Sequence, residues 1–243
     1  DVRRGGYAID CWLMFPPDFD RRRRYPLVLE VHGGPNGFFG TGFSPLHQII
    51  AGAGNIVLLV NSRGSTTYGA DFTVRVFRDW GGEDYQDLLA AVNATCRRRY
   101  VDGDRLGIHG YSYGGFMTLM ALFKEPDLFA CGAALRPVTD WAEYEHGYTA
   151  RILNTPDEDP EAYLKSSPIE FAEGLKKPLL MCHGMLDDNV VAQDTVRLTQ
   201  RLIQLKKEDW EMALYPVEPH GFIEPESWLD EYRRIDKLFK QNL

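Results

Sequence analysis

A chain of 243 residues, 44% hydrophobic and 26% charged, can bury a sizeable core without disulfides or metals and is neither fibrous nor disordered. Its net charge of −8, from 27 basic and 35 acidic residues, argues against a phosphate-backbone binder, so no nucleic-acid partner is expected. No apolar run approaches the roughly 18 residues of a membrane span, and no membrane partner is expected either.

In chain order, residues 7–15 read as an early strand, closed by Pro16-Pro17 and a charged, arginine-rich loop. Residues 27–31 form an apolar run ended by His32-Gly33-Gly34-Pro35. Residues 56–60, continuous and branched, read as a buried parallel strand ended by Arg63-Gly64-Ser65. Residues 83–99 place Leu88, Leu89, Val92 and Cys96 at helical spacing, with acids first and arginines last, as the helix dipole favours. A short strand over 106–109 precedes a helix over 116–123 that Pro126 stops. Strands over 130–135 and 179–182, a helix over 190–205, a strand over 211–215 and a helix over 228–239 complete the chain. The alternation predicts one α/β domain over residues 1–243, a mostly parallel, doubly wound sheet with helices on both faces. Of the four cysteines, Cys11, Cys96, Cys131 and Cys182, none stands in CxxC spacing. Cys131 and Cys182 sit inside apolar runs and read as free buried thiols.

Between the strand at 106–109 and the next helix stands Gly110-Tyr111-Ser112-Tyr113-Gly114-Gly115. This is a G-x-S-x-G turn in strand–turn–helix context, which lifts a serine clear of the sheet. A Cβ on either flanking glycine should strike neighbouring backbone. A serine hydroxyl is a weak nucleophile and needs a base and an orienting acid, which follow it in the order acid, then histidine. Of the histidines after Ser112, His183 precedes its acid and His146 has no strand before it. His220 follows the last strand and is the base candidate. The acid is Asp187 or Asp188, a choice the pattern leaves open, the other serving as a helix cap. Expected oxyanion donors are the backbone N–H of Tyr113 and the His32-Gly33 loop. The serine accounts for His183, Asp187 and His220, so no metal and no cofactor are expected.

These residues resemble the prolyl oligopeptidase family of serine peptidases over nearly the whole chain. The resemblance rests on Gly110 to Met117, His183-Gly184 with Asp187 and Val190, and Pro219-His220-Gly221-Phe222. Asn61 to Ser65 and Asp79-Trp80-Gly81-Gly82 with Asp84-Tyr85 add to it. It implies the α/β-hydrolase fold and selects Asp187 as the triad acid. Arg136 to Trp141 with Tyr144, Tyr148 and Arg151 is similar to the dipeptidyl-peptidase branch. The resemblance implies that Val138, Trp141, Tyr144, Tyr148 and Val190 wall a pocket for proline or alanine, with Asn189 holding a substrate carbonyl. The aromatics alone would read as ordinary core. His32 stands where that branch has a tyrosine, and its loop is more like the acylaminoacyl-peptidase branch. The family's N-terminal β-propeller, which in the dipeptidyl branch binds the free amine, is expected to be missing from this chain. The chain does not begin with Met, so a truncated N-terminus is expected and the compartment, cytoplasmic or periplasmic, stays open. The expectation is a peptidase catalytic domain acting on a peptide or ester substrate through an acyl-enzyme, with room for a homodimer. Its rivals are a carboxylesterase with the same triad and a non-catalytic interaction module.

Overall fold

In the computed structural model, which describes residues 1–243, the chain opens with a hairpin of β1 (Val2–Arg4) and β2 (Tyr7–Met14). Gly5 and Gly6 join the two strands, both at positive φ as a tight hairpin turn demands. Then come β3 (Tyr25–Val31), α1 (Pro45–Gly52), β4 (Ile56–Asn61), α2 (Ala70–Thr73), α3 (Glu83–Cys96) and β5 (Val101–Tyr111). The second half contains α4 (Tyr113–Lys124), β6 (Cys131–Leu135), α5 (His146–Leu153), α6 (Pro160–Ser166), β7 (Leu179–Gly184), α7 (Ala192–Gln204), β8 (Trp210–Tyr215) and α8 (Pro225–Asn242).

The eight strands form one sheet in the order β1-β2-β4-β3-β5-β6-β7-β8. β1 and β2 pair antiparallel with their neighbours, and the six strands from β4 to β8 are parallel. This is the mixed, mostly parallel α/β sheet expected of the α/β-hydrolase fold. Alternating side chains along each strand feed two cores. Ile56, Leu58 and Val60 join Leu88 and Val92 of α3, the apolar residues of α4 from Tyr113 to Phe123, and Leu198 and Leu202 of α7 on one face. Val57 and Leu59 join Ile50 of α1 and Ile235 and Phe239 of α8 on the other.

β3 has β4 on one side and β5 on the other, so the strand order reverses between β3 and β5. A sheet of this kind opens a crevice outside the carboxyl ends of the strands at such a switch point. The chain leaves β3 at His32 and β5 at Ser112, and both loops therefore border that crevice.

The elements absent from the sequence reading are short. β1 has three residues, and α1, α5 and α6 seven or eight, too few for a hydrophobic period to register. Each of these three helices is instead set by its first residues: the side chains of Ser44, Glu145 and Asp159 accept backbone N–H groups at the helix starts. α3 ends at Cys96, three residues before the arginines run out, and Arg97, Arg98 and Arg99 are exposed beyond it. Both Cys131 and Cys182 are buried free thiols, and burial pushes the Cys131 thiol up to about 12. No helix is long and apolar enough to cross a membrane.

Candidate active site

Ser112 occupies the sharp turn between β5 and α4 with φ +59° and ψ −122°. A non-glycine residue holds such a conformation only when its surroundings over-determine it. Its N–H donates to the Leu135 carbonyl at 2.8 Å, and its carbonyl accepts from Phe116 N–H at 3.0 Å. The flanking glycines allow the rest. A Cβ would lie 2.5 Å from the Val31 carbonyl oxygen at Gly110 and 2.0 Å from it at Gly114, so β3 could not pack this closely against larger residues. α4 starts at Tyr113, where the first N–H groups of a helix have no intrahelical acceptor.

The turn between β7 and α7 carries Asp187, and the loop between β8 and α8 carries His220. His220 Nδ1 donates to Asp187 Oδ2 at 2.7 Å, which leaves Nε2 of the neutral ring as an acceptor. Asp187 Oδ1 accepts the N–H groups of Asn189 and Val190, each at 2.9 Å. The carboxylate also has a fourth donor nearby, His183 Nε2, 3.3 Å from Oδ2. His183 Nε2 donates to the Val190 carbonyl at 2.8 Å, while Nδ1 faces the Thr195 hydroxyl at 2.7 Å. Burial alone would raise the Asp187 pKa, but the hydrogen bonds from His183 and His220 outweigh it and hold the carboxyl well below the ordinary carboxylate range. The Asp187 side chain is fully buried, whereas Asp188 is exposed.

Ser112, His220, Asn189, Tyr144, Tyr148 and Gly33 line one open cavity of about 510 Å³, together with Gly34, Tyr111, Glu145 and Asp188. Two larger clefts, about 580 and 530 Å³, lie between α1 and α8 and beside β8, and neither contains Ser112 or His220. Gly33 touches the serine turn: a Cβ built on it would lie 3.5 Å from Ser112 Cβ. The His32 ring turns elsewhere, with Nδ1 donating to the Gly33 carbonyl at 2.8 Å and Nε2 lying 2.9 Å from Ser65 Oγ. Its side chain does not line the cavity, so only backbone from this loop reaches the serine turn.

The aromatic residues form a cluster beside the cavity. Trp141 packs at 5.5 Å from Tyr144, 6.0 Å from Tyr113 and 4.0 Å from Trp80 (ring centroids), and Trp80 stacks on Tyr148 at 5.8 Å. Val138, Trp141, Tyr113 and Val190 are buried behind the cavity wall, while Tyr144 and Tyr148 face it. Tyr144 donates its hydroxyl to Asn189 Oδ1 at 2.8 Å, which leaves the Asn189 amide N–H groups free toward the cavity. The sequence motifs contain Tyr111, Trp80 and His183 without giving them a role in the site, and Glu145 lies outside the motifs. The signals were available for two of them. Tyr111 is the variable residue before the serine, and His183 stands four residues before Asp187. No group of three His, Cys, Asp or Glu side chains has the geometry of a metal site.

Residues 41–243 match the prolyl oligopeptidase family. Human dipeptidyl peptidase 8 is 34% identical over 232 residues, which is 91% of this chain and 26% of that protein. Among solved structures, Porphyromonas gingivalis dipeptidyl peptidase 4 superposes with a TM-score of 0.90 at 33% identity, covering 97% of this chain and 34% of that one. Pyrococcus horikoshii acylaminoacyl peptidase superposes with a TM-score of 0.93 at 29% identity, covering 100% of this chain and 41% of that one. The chain spans 23–38% of the length of the first curated relatives it matches. With a serine-hydrolase fold related to both dipeptidyl and acylaminoacyl peptidases, the chain belongs to the prolyl oligopeptidase family.

Proposed function

We propose that the chain is a serine peptidase catalytic unit in which Ser112 is the nucleophile, His220 the base and Asp187 the orienting acid. The observation that carries this reading is the 2.7 Å hydrogen bond from His220 Nδ1 to buried Asp187, with His220 and Ser112 on one cavity. Ser112 Oγ adds to the acyl carbon as its proton passes to His220 Nε2. The carbonyl oxygen, now negative, meets the backbone N–H of Tyr113 and of the Gly33 loop. Collapse of the tetrahedral species expels the leaving amine or alcohol, which takes the proton from His220. Water then repeats the sequence on the acyl-enzyme and releases the acid. Asp187 holds the imidazole in the tautomer with Nε2 free and stabilises the imidazolium that forms.

Tyr144 and Tyr148, backed by buried Val138, Trp141 and Val190, are proposed to form the pocket for a proline or alanine side chain before the scissile bond. Free Asn189 N–H groups at its edge suit a substrate carbonyl. Dipeptidyl-peptidase and acylaminoacyl-peptidase relatives both support a peptide substrate. The test compares kcat/KM on an alanyl-prolyl arylamide with that on a short-chain aryl ester of equal leaving-group reactivity. Turnover of both, with the arylamide saturating at lower concentration, is expected. Ester turnover with no arylamide cleavage would contradict a peptidase and leave a carboxylesterase. A folded chain inert on both would leave a non-catalytic module.

A further inference from the structure

Asp84 stands in the first turn of α3, where a carboxylate ordinarily faces water and complements the dipole. Here the residue is 0% exposed. It accepts two hydrogen bonds, one from the Tyr113 hydroxyl and one from the Tyr85 N–H at 2.9 Å, and no cation contacts it. Asp87, one turn on, is equally buried but is held by the Arg63 guanidinium at 2.8 and 2.7 Å and by Arg4 at 3.2 Å. Charge neutralisation therefore accounts for Asp87 and not for Asp84. Burial without a cation is costly. What Asp84 holds is Tyr113, whose ring is wedged against Phe116 at 4.9 Å and against Trp80 and Trp141 at 6.0 Å each.

We propose that Asp84 is a positioning residue for the serine turn: by holding the hydroxyl end of the packed Tyr113 side chain, it aims the backbone N–H that follows Ser112. The proposal rests on Ser112 acting as the nucleophile. Facing the carboxyl are Asp79 and Asp87 and the Tyr113 hydroxyl, with the Tyr148 hydroxyl behind it. Burial, with the two acids, outweighs the hydrogen bonds and pushes Asp84 up to about 7. When ionised it places negative charge at the hydroxyl end of Tyr113, the residue whose amide meets the oxyanion.

In the full chain, Asp84→Ala and Tyr113→Phe are each expected to lower kcat about tenfold on ester and arylamide alike, with the ester KM within about threefold. The double variant is expected to lose no more than about twofold beyond either single change, because both remove the same Tyr113–Asp84 bond. Asp84→Asn keeps an acceptor for the hydroxyl and is expected to recover most of the alanine loss. Its rate relative to the parent should rise about threefold from pH 6 to 9, as only the parent acquires the charge. Losses that multiply in the double variant, or an Asp84→Asn rate that tracks the parent at every pH, overturn the proposal. If Asp84→Ala fails to fold, Tyr113→Phe and Asp84→Asn decide the matter. Fluorophosphonate labelling separates this proposal from the reading beneath it. An unlabelled parent overturns both, while a labelled parent with an equally fast Asp84→Ala overturns the positioning role alone.

Discussion

The turn that carries Ser112 and the segment over residues 136–153 border the same cavity but are held by different physics. Backbone approaching backbone fixes the turn: glycines at 110 and 114 lie against the Val31 carbonyl, and the strained serine is tied to Leu135 and Phe116. Side chains hold the segment. Trp141 sits among Trp80, Phe116 and Tyr144, Asp140 and Glu145 cap its short helical turns, and buried Asp194 accepts the Thr139 N–H at 2.7 Å. A backbone contact tolerates no added atom, whereas side-chain packing tolerates exchange of similar volumes. Changes around the turn and its acid should therefore lower the rate on every substrate. Changes in the segment should alter which substrate is preferred.

The largest effect is expected at Ser112. Ser112→Ala should lower kcat by several orders of magnitude, about 10⁵–10⁶, on ester and arylamide equally, with Tm unchanged. Unequal losses would break the comparison, since the turn would then be choosing substrates. Asp187→Asn should lower kcat about 10⁴-fold by favouring the wrong tautomer of His220, while Asp188→Asn should cost less than about tenfold. Equal losses would mean that burial does not pick out the orienting acid. In the segment, Tyr144→Ala should reduce kcat/KM on the prolyl arylamide about tenfold more than on a linear acyl ester, because it removes a wall that a ring would contact. A uniform loss would assign Tyr144 to the chemistry.

The smallest effect is a shift in Tm at the junction of the two regions. Asp84 has a folded-state pKa of about 7, above the ordinary 3.8, so between these values the folded chain holds a proton that the unfolded chain has lost. Stability from this group is complete below the unfolded value and falls as pH rises through the folded one. Asp84→Asn has no such slope, so its Tm relative to the parent should climb by several degrees between pH 5 and 8. A constant difference would show that the carboxyl does not titrate there.

The same contrast explains what could be read from the residues alone. The serine turn was legible because its requirements are local: two glycines, a strand before and a helix after. His220 followed from chain order. Asp187 and Asp188 could not be separated by pattern, since both occupy one turn and differ in burial, which only the folded β7–α7 loop creates. Trp141, Tyr144 and Tyr148 resemble core residues in any composition-based reading, and family resemblance rather than periodicity singled them out. Trp80 joins their cluster from some sixty residues away, a contact that sequence spacing does not encode. His183 was set aside by chain order as a base, yet the fold places it against the acid itself.

The most direct test of the central claim is phosphonylation of the chain by a fluorophosphonate, with the modified residue located by peptide mass spectrometry. A single adduct on Ser112 is predicted, absent in Ser112→Ala and formed at least about a hundredfold more slowly in His220→Gln. An adduct on another residue, or none on the folded protein, would contradict the assignment of Ser112 and His220 as nucleophile and base.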